Sequence, residues 1–426
     1  MSPTTTASSP AFEALRAWVD RGATLSESMP ADWYTAPEVF ELERNHLFAK
    51  TWHIVGHADD VSEPGDYFTM KLLGEPLIIV RNKQGVVNAL SNVCRHRAGP
   101  VARGCGNRKG FTCAYHGWAY DLDGQGRGCG GMEDAEDFEP RELQLPKYRA
   151  EVWGRWVFVT MSDDAPPFDE WIETVADRAE NYQLDDLEYL GARKWELPVN
   201  WKVMNDANHE AYHVPFVHPG LQSAYNVSKN FGTVDGDTLA GRTNGASANG
   251  DASEADGYTH MTKPYGGEIF ALEPNPRGPF SKVIGSLGGT ADYRQIKPPL
   301  SSLEGRERLA HYFLFNWPGL SHFHFMPDGL GLILLIPIAH DRTEVRVEWW
   351  MPRVEAFDEK LLQAALIVFG NQILDEDVAM NGMVWRGLQS EHYDRGRMAP
   401  TMEGLLYAYD AWYIEQMQAA LAAEEA

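Results

Sequence analysis

Cys94-x-His96 and Cys113-x-x-His116 stand sixteen residues apart in CRHRAGPVARGCGNRKGFTCAYHGW. Two short pairs of ligand-type side chains demand two tight loops that a scaffold of strands brings together. Each pair mixes Cys with His. That set suits a [2Fe–2S] cluster with both thiolates on one iron and both imidazoles on the other, the neutral His ligands raising the potential. A Cys2His2 zinc site is the alternative, although zinc sites usually pair like with like. Cys105 and Cys129 read as ordinary buried or loop thiols.

The surroundings fit a small all-β unit. Alternating apolar residues between turn residues predict strands over 53–57, 67–73, 76–81, 86–93 and 154–161. Before it, residues 12–19 carry a short helical pattern. Pro37 opens a stronger helix, with Thr35 as N-cap and Glu38 completing a capping box. Segment 163–167 reads as a boundary. Beyond it the pattern predicts helices over 168–182, 202–214 (stopped by Pro215), 357–379 and 402–423. Strands are predicted over 189–198, 311–315, 322–326, 330–338 and 344–351. Segment 221–307 is rich in Gly, Ser, Asp and Asn and reads as either a lid or a mobile stretch. The expected class is α+β, with a helical arm (1–43), a small β domain (44–162) and a larger mixed domain (163–426).

Bulk properties narrow the function. With 426 residues, the chain exceeds one ordinary core. Its net charge of −24 argues against nucleic acid as a partner. No basic and apolar leader opens the sequence, so a cytoplasmic location is expected and disulfides are not. The longest apolar run, 329–339, contains Pro337 and reads as a strand and not a membrane span.

A second constellation is NWKVMNDANHEAYHVPFVHP, residues 200–219, with Asp206, His209, Glu210, His213 and His218. His209-Glu210-x-x-His213 matches the H-E-x-x-H spacing of zinc hydrolases. Alternatively, His213 and His218 are two legs of a two-His-one-carboxylate iron(II) site, with the carboxylate coming from far away in sequence. The extended protease form needs Gly at 216 and His at 219, where Phe216 and Pro219 stand.

With both constellations in view, the chain resembles the α subunit of Rieske non-haem iron oxygenases of the ring-hydroxylating type. The resemblance rests on the Cys/His loops with Gly117 and Trp118, on Asn200-Trp201-Lys202, and on Tyr212-His213 with His218. It implies a Rieske domain before a helix-grip catalytic domain, whose antiparallel sheet is covered by helices. It implies that Cys94, His96, Cys113 and His116 hold the cluster. It implies a third iron ligand in an E-D pair ahead of G-L-x-S, which selects Asp377 before Gly387-Leu388-Gln389-Ser390, with Asp375 as fallback. It further implies a homotrimer (α3, or α3β3 with a small subunit) in which one subunit's cluster serves its neighbour's iron. The bridge in that family is an acidic residue three before the first iron His. Here that residue is Glu210, facing His116 of a neighbour, where most relatives carry Asp. Electrons would come from NAD(P)H through a flavin reductase, a ferredoxin or both.

Ala207 replaces an Asn that relatives often place near the iron, leaving Asn205 and Asn208 as candidates for that amide. Arg95, Arg97, Arg103, Arg108 and Lys109 make a basic patch around the cluster, suited to an acidic donor. His322 and His324 share one face of a strand, and His209 reads as a second-layer or surface residue. For the substrate, the long interval from His218 to Asp377 favours an aromatic ring or aromatic acid. Glu210 favours the alternative, a quaternary ammonium or alkyl amine compound, because some relatives acting on such compounds also use Glu.

Overall fold

The computed structural model describes residues 27–210, 212–219, 311–326, 328–399 and 403–425, with 13, 15–17, 225–226, 260–263, 266–274, 300 and 302–303. Most of segment 221–307, read above as a lid or a mobile stretch, and most of the 12–19 pattern lie outside the described residues. The chain divides into two compact units: Phe48–Phe168, and Met1–Leu47 together with Asp169–Ala426.

The first unit is all β. Its strands are β1 (His53–His57), β2 (Asp66–Leu72), β3 (Glu75–Arg81), β4 (Val87–Ser91), β5 (Cys105–Asn107), β6 (Phe111–Thr112), β7 (Ala119–Tyr120), β8 (Gly126–Gly128), β9 (Lys147–Trp153) and β10 (Trp156–Thr160). Seven form one antiparallel sheet in the order β1-β10-β9-β4-β3-β2-β5, and β6-β7-β8 form a small one. The unbroken apolar run of β3 is explained by burial on both faces, since successive side chains alternate across a strand. Leu77 and Ile79 pack with Val55, Val61, Val157 and Val159. Ile78 and Val80 pack on the other side with Tyr67, Leu90, Phe111, Trp118, Cys94 and Cys113. The second core therefore carries the two cysteine loops.

The second unit pairs a sheet with helices. Helices α1 (Ala31–Thr35) and α2 (Pro37–Glu43) come first, and α3 (Phe168–Ala179) leads into the sheet. The strands are β11 (Leu187–Leu197), β12 (Tyr225–Asn226), β13 (His260–Lys263), β14 (Gly266–Pro274), β15 (His311–Asn316), β16 (Ser321–Met326), β17 (Gly329–Ala339) and β18 (Arg342–Pro352). Their order is β11-β18-β17-β16-β15-β14-β12, with β13 on β14. Helices α4 (Trp201–Asn208), α5 (Val214–Val217), α6 (Phe357–Leu388) and α7 (Gly404–Glu425) complete it. Gly370 lets α6 approach the sheet, for a Cβ there would stand 2.3 Å from the indole of Trp349 on β18. The amide of Asn381 on α6 reaches Met204 Sδ on α4 at 2.9 Å. No helix among the described residues is long and apolar enough to cross a membrane.

Two local expectations are corrected. Thr35 does not cap the Pro37 helix; it ends α1, where its hydroxyl donates to Ala31 O at 3.1 Å, and Ala36 precedes α2 without a side-chain cap. The helix expected over 202–214 ends at Asn208. Pro215 does not stop it but sits in the first turn of α5, where a missing N–H costs nothing.

Candidate metal centres

The two cysteine loops are built alike. Ala98 N–H donates to Cys94 O and Gly117 N–H donates to Cys113 O, each at 3.0 Å. Both fourth positions have positive φ, 56° at Ala98 and 74° at Gly117. Cys94 and Cys113 are buried, while His96 and His116 are exposed at the loop tips. The two imidazoles lie 4.6 Å apart by ring centroids, and Trp118 stacks on His96 at 4.6 Å and 11°. Gly99 leaves room beside the thiolate, as a Cβ there would come 3.2 Å from Cys113 Sγ.

A single zinc ion would draw four ligand atoms toward one point. Among the described residues, one group of three His, Cys, Asp or Glu has ligand atoms within 4.8 Å of one another, and it is His213, His218 and Asp377. The Cys/His loops do not converge in that way. Buried thiols below and imidazoles above fit a cluster that separates its Cys-bound iron from its His-bound iron. Tyr120, missed by sequence reading although it closes the CAYHGWAY motif, places its hydroxyl 3.4 Å from Cys94 Sγ and accepts from Arg95 N–H at 3.0 Å. Burial, with the Cys94 contact next, raises the Tyr120 pKa and keeps the phenol protonated. Cys105 is exposed on β5 and Cys129 is buried.

The second centre forms where α4 breaks. His213 precedes α5 and His218 ends it, so one short helix presents both imidazoles, with ring centroids 5.1 Å apart. Asp377 on α6 is buried. Its Oδ1 lies 2.8 Å from His218 Nε2 and 3.6 Å from His213 Nε2. The other ring nitrogens are held as well. Glu376 Oε2 lies 2.9 Å from His218 Nδ1, and Glu210 Oε1 is hydrogen-bonded to His213 Nδ1. Both Nε2 atoms are thereby directed at one point beside Asp377, the arrangement in which outer carboxylates orient metal-binding imidazoles. Burial opposes charge on His218, but the hydrogen bonds and charges of Asp377 and Glu376 outweigh it and raise its pKa. Glu376 was also missed, although it adjoins Asp377 in the E-D pair. Asp375 is elsewhere, its Oδ1 accepting from Arg193 at 2.6 Å and from Trp195 Nε1 at 2.9 Å.

Glu210 also accepts the backbone N–H groups of Tyr212 and His213, which fixes the turn between α4 and α5. This turn removes the H-E-x-x-H geometry, because His209 and His213 do not share a helix face. His209 is not a surface residue either; it is 1% exposed. Its ring packs against Phe315, His322 and Tyr409, and its Nδ1 bonds Asn205 O at 2.7 Å. Burial, with His322 nearby, lowers its pKa to about 3. His322 is buried on Gly319 O at 2.8 Å, and His324 stacks on Phe313. Asn205 turns to the Gly319 hairpin: a Cβ at Gly319 would lie 2.0 Å from its Oδ1.

Known proteins share this architecture. A family model described as the ring-hydroxylating alpha subunit (catalytic domain) matches residues 184–419, and one for the Rieske [2Fe-2S] domain matches residues 51–148. The chain is 26% identical to choline monooxygenase of Amaranthus tricolor over 90% of this chain and 76% of that one. It is 26% identical to the glycine betaine monooxygenase oxygenase subunit of Pseudomonas aeruginosa over 94% and 91%. Among solved structures, a quaternary ammonium Rieske monooxygenase superposes with TM-score 0.70 at 23% identity, over 92% of this chain and 96% of that one. Naphthalene 1,2-dioxygenase from Rhodococcus sp. gives TM-score 0.67 at 18% identity, over 96% and 99%. The model that matches the catalytic domain covers more than half of the sequence, and this chain belongs to the ring-hydroxylating α-subunit family of Rieske oxygenases.

Proposed function

We propose that the chain is the oxygenase component of a monooxygenase acting on a small quaternary ammonium compound. The observation that carries this reading is the near full-length likeness to relatives named for choline and glycine betaine. Glu at 210, shared with some relatives of that substrate class, points the same way. The aromatic reading rested on the interval between His218 and Asp377, and an interval's length measures inserted chain, not pocket chemistry.

In this reading His213 Nε2, His218 Nε2 and Asp377 would hold a mononuclear Fe(II), the two-His-one-carboxylate set suited to that ion. Cys94, Cys113, His96 and His116 hold the [2Fe–2S] cluster. When bound, the iron activates O2 with electrons relayed by the cluster. The protein's own part is orientation: Glu376 fixes the tautomer of His218, and Glu210 fixes that of His213. As the resemblance implies, Glu210 also bridges toward His116 of a neighbouring subunit in a trimer. A solved relative is described as giving insight into inter-subunit electron transfer. Glu210→Gln keeps the size of the side chain but removes its charge. We expect both metal centres to load and coupled turnover to drop by about tenfold to a hundredfold, the usual cost of losing an outer carboxylate. Metal analysis beside product assays checks this, and an active Gln variant would count against the bridge.

The donor would be a flavin reductase or ferredoxin, drawing on NAD(P)H. Arg95, Arg97, Arg103, Arg108 and Lys109 are all exposed around the cluster of a chain carrying −24. Such a patch steers an acidic donor, raising on-rates by about 10–10³ at low salt. Neutralising Arg103, Arg108 and Lys109 together should slow cluster reduction and flatten its salt dependence in stopped flow. Unchanged kinetics would remove the docking role.

Substrate class is tested by substrate-dependent O2 uptake with a surrogate reductase, comparing choline, glycine betaine and carnitine with a set of aromatic acids. Uptake with a quaternary ammonium compound and a matching product mass supports the proposal. Uptake with aromatic acids alone would replace it.

A further inference from the structure

The last turn of α4 and the facing stretch of α7 hold a concentration of buried polar atoms without a hydrogen-bond partner among the described residues. They are Asn205 Nδ2 and Oδ1, Asp206 Oδ1, Asn208 Nδ2, His209 Nε2, Tyr409 OH and Asp410 Oδ1. Left dry, such groups lose their hydration with no hydrogen bond in exchange, so water is the natural partner for them. The region also carries more acid than base. Asp206 is half-buried and accepts from Tyr34 OH at 2.6 Å. Asp410 is 4% exposed, and Asp206 and Glu403 act on it electrostatically. Glu403 and Asp206 each feel Glu210. The cation facing them is Lys202, whose ammonium is already paired with Glu43 at 2.5 Å. Tyr34, Tyr409 and Tyr413 complete the titratable surroundings and, held neutral by burial, supply no positive charge. Carboxylates crowded in low dielectric around a spoken-for cation cannot all ionise.

We propose that Asp206, Asp410 and Glu403, joined by water bound to Asn205, Asn208, His209 and Tyr409, form an internal proton store feeding the adjoining iron centre. The inference deepens the functional reading above and rests on it. Monooxygenation consumes O2, two electrons and two protons; one oxygen atom enters a C–H bond and the other leaves as water. The two electrons would come from the external reductase or ferredoxin, relayed one at a time by the cluster. The store supplies protons on the side where α4 meets Glu210 and is reloaded from solvent through Glu403, which is half-buried. Burial, partly offset by the Tyr34 hydrogen bond and Lys202, raises Asp206 to about 7, a value suited to releasing and regaining a proton at working pH. The folded state keeps this proton between 3.8 and about 7 while the unfolded chain has lost it, so Asp206 withdraws stability as pH rises through that window.

The test is infrared difference spectroscopy on the whole chain stripped of its mononuclear iron. At slightly acidic pH a protonated-carboxyl C=O band should appear and titrate away as pH rises through neutrality. Part of it should vanish in Asp206→Asn and part in Asp410→Asn. In iron-loaded Asp410→Asn, product per O2 consumed should fall tenfold or more, with iron and cluster content unchanged. A wild-type spectrum without the band overturns the store whether or not any variant folds. A band that survives both substitutions, or coupling that is untouched when the band is lost, overturns it too. The spectrum needs no iron, so failure of the iron reading would show separately, in the metal content.

Discussion

Asp377→Ala should empty the mononuclear centre and leave the cluster intact. Asp377 is the carboxylate whose Oδ1 approaches both His218 Nε2 at 2.8 Å and His213 Nε2 at 3.6 Å. Its neighbours in the sequence are committed elsewhere. Glu376 holds His218 Nδ1, and Asp375 serves Arg193 and Trp195. None can take over without abandoning its partner. Losing an outer orienting group costs a metal site about 10–100-fold in affinity. Losing the anionic ligand itself should cost at least about a hundredfold and abolish turnover. Iron and acid-labile sulfide per chain give the readout: one iron lost, with cluster iron and sulfide retained. Asp375→Ala is the control and should keep its iron. A fully iron-loaded Asp377→Ala protein would refute the ligand assignment.

Lys202→Met should be the most damaging single change away from the metals. Lys202 and Glu43 are both 0% exposed and 2.5 Å apart. Glu43 also accepts from Trp201 Nε1 at 2.9 Å and from the Tyr413 hydroxyl. One carboxylate thus ties α2, α4 and α7 together. Removing the ammonium strands that carboxylate in the interior, which costs about 3–5 kcal/mol, or roughly 10 °C in Tm. Replacing both partners, Glu43→Leu with Lys202→Met, should recover much of the loss, since a buried pair exchanged for apolar residues is often neutral. Denaturant midpoints of the two variants decide the matter. A single variant as stable as wild type would show that the pair anchors nothing.

The Cys/His loops and the His213, His218 pair could be picked out in sequence because each is local, whereas Asp377 entered only through the resemblance. Cys94-x-His96 and Cys113-x-x-His116 each lie within one tight loop, and His213 and His218 bracket one short helix. The strands of the first unit were legible for a related reason: apolar alternation and turn residues act over a few positions, and β1 falls at His53–His57 as its pattern predicts. What escaped depends on distant partners or on competition for the backbone. Tyr34 meets Asp206 across 172 positions and Tyr413 meets Glu43 across 370. No spacing rule reports such contacts, so the buried network could not be seen. The end of α4 was misplaced because Glu210 offers the backbone N–H groups of Tyr212 and His213 an acceptor better than the next helical turn. Substrate class was not legible because pocket chemistry is assembled from several elements, while the sequence offered only an interval length and Glu210, which pointed opposite ways.

We propose that this chain inserts one oxygen atom into a quaternary ammonium compound with electrons relayed by its cluster. A single turnover under heavy-isotope O2 tests it most directly. The fully reduced protein is mixed with the quaternary ammonium compound that supports O2 uptake, and the products are weighed. We expect one labelled oxygen in the organic product, any aldehyde being reduced to its alcohol as it forms so that its label is not lost by exchange, and the other in water. Two labelled atoms in the organic product, or none, would contradict the account.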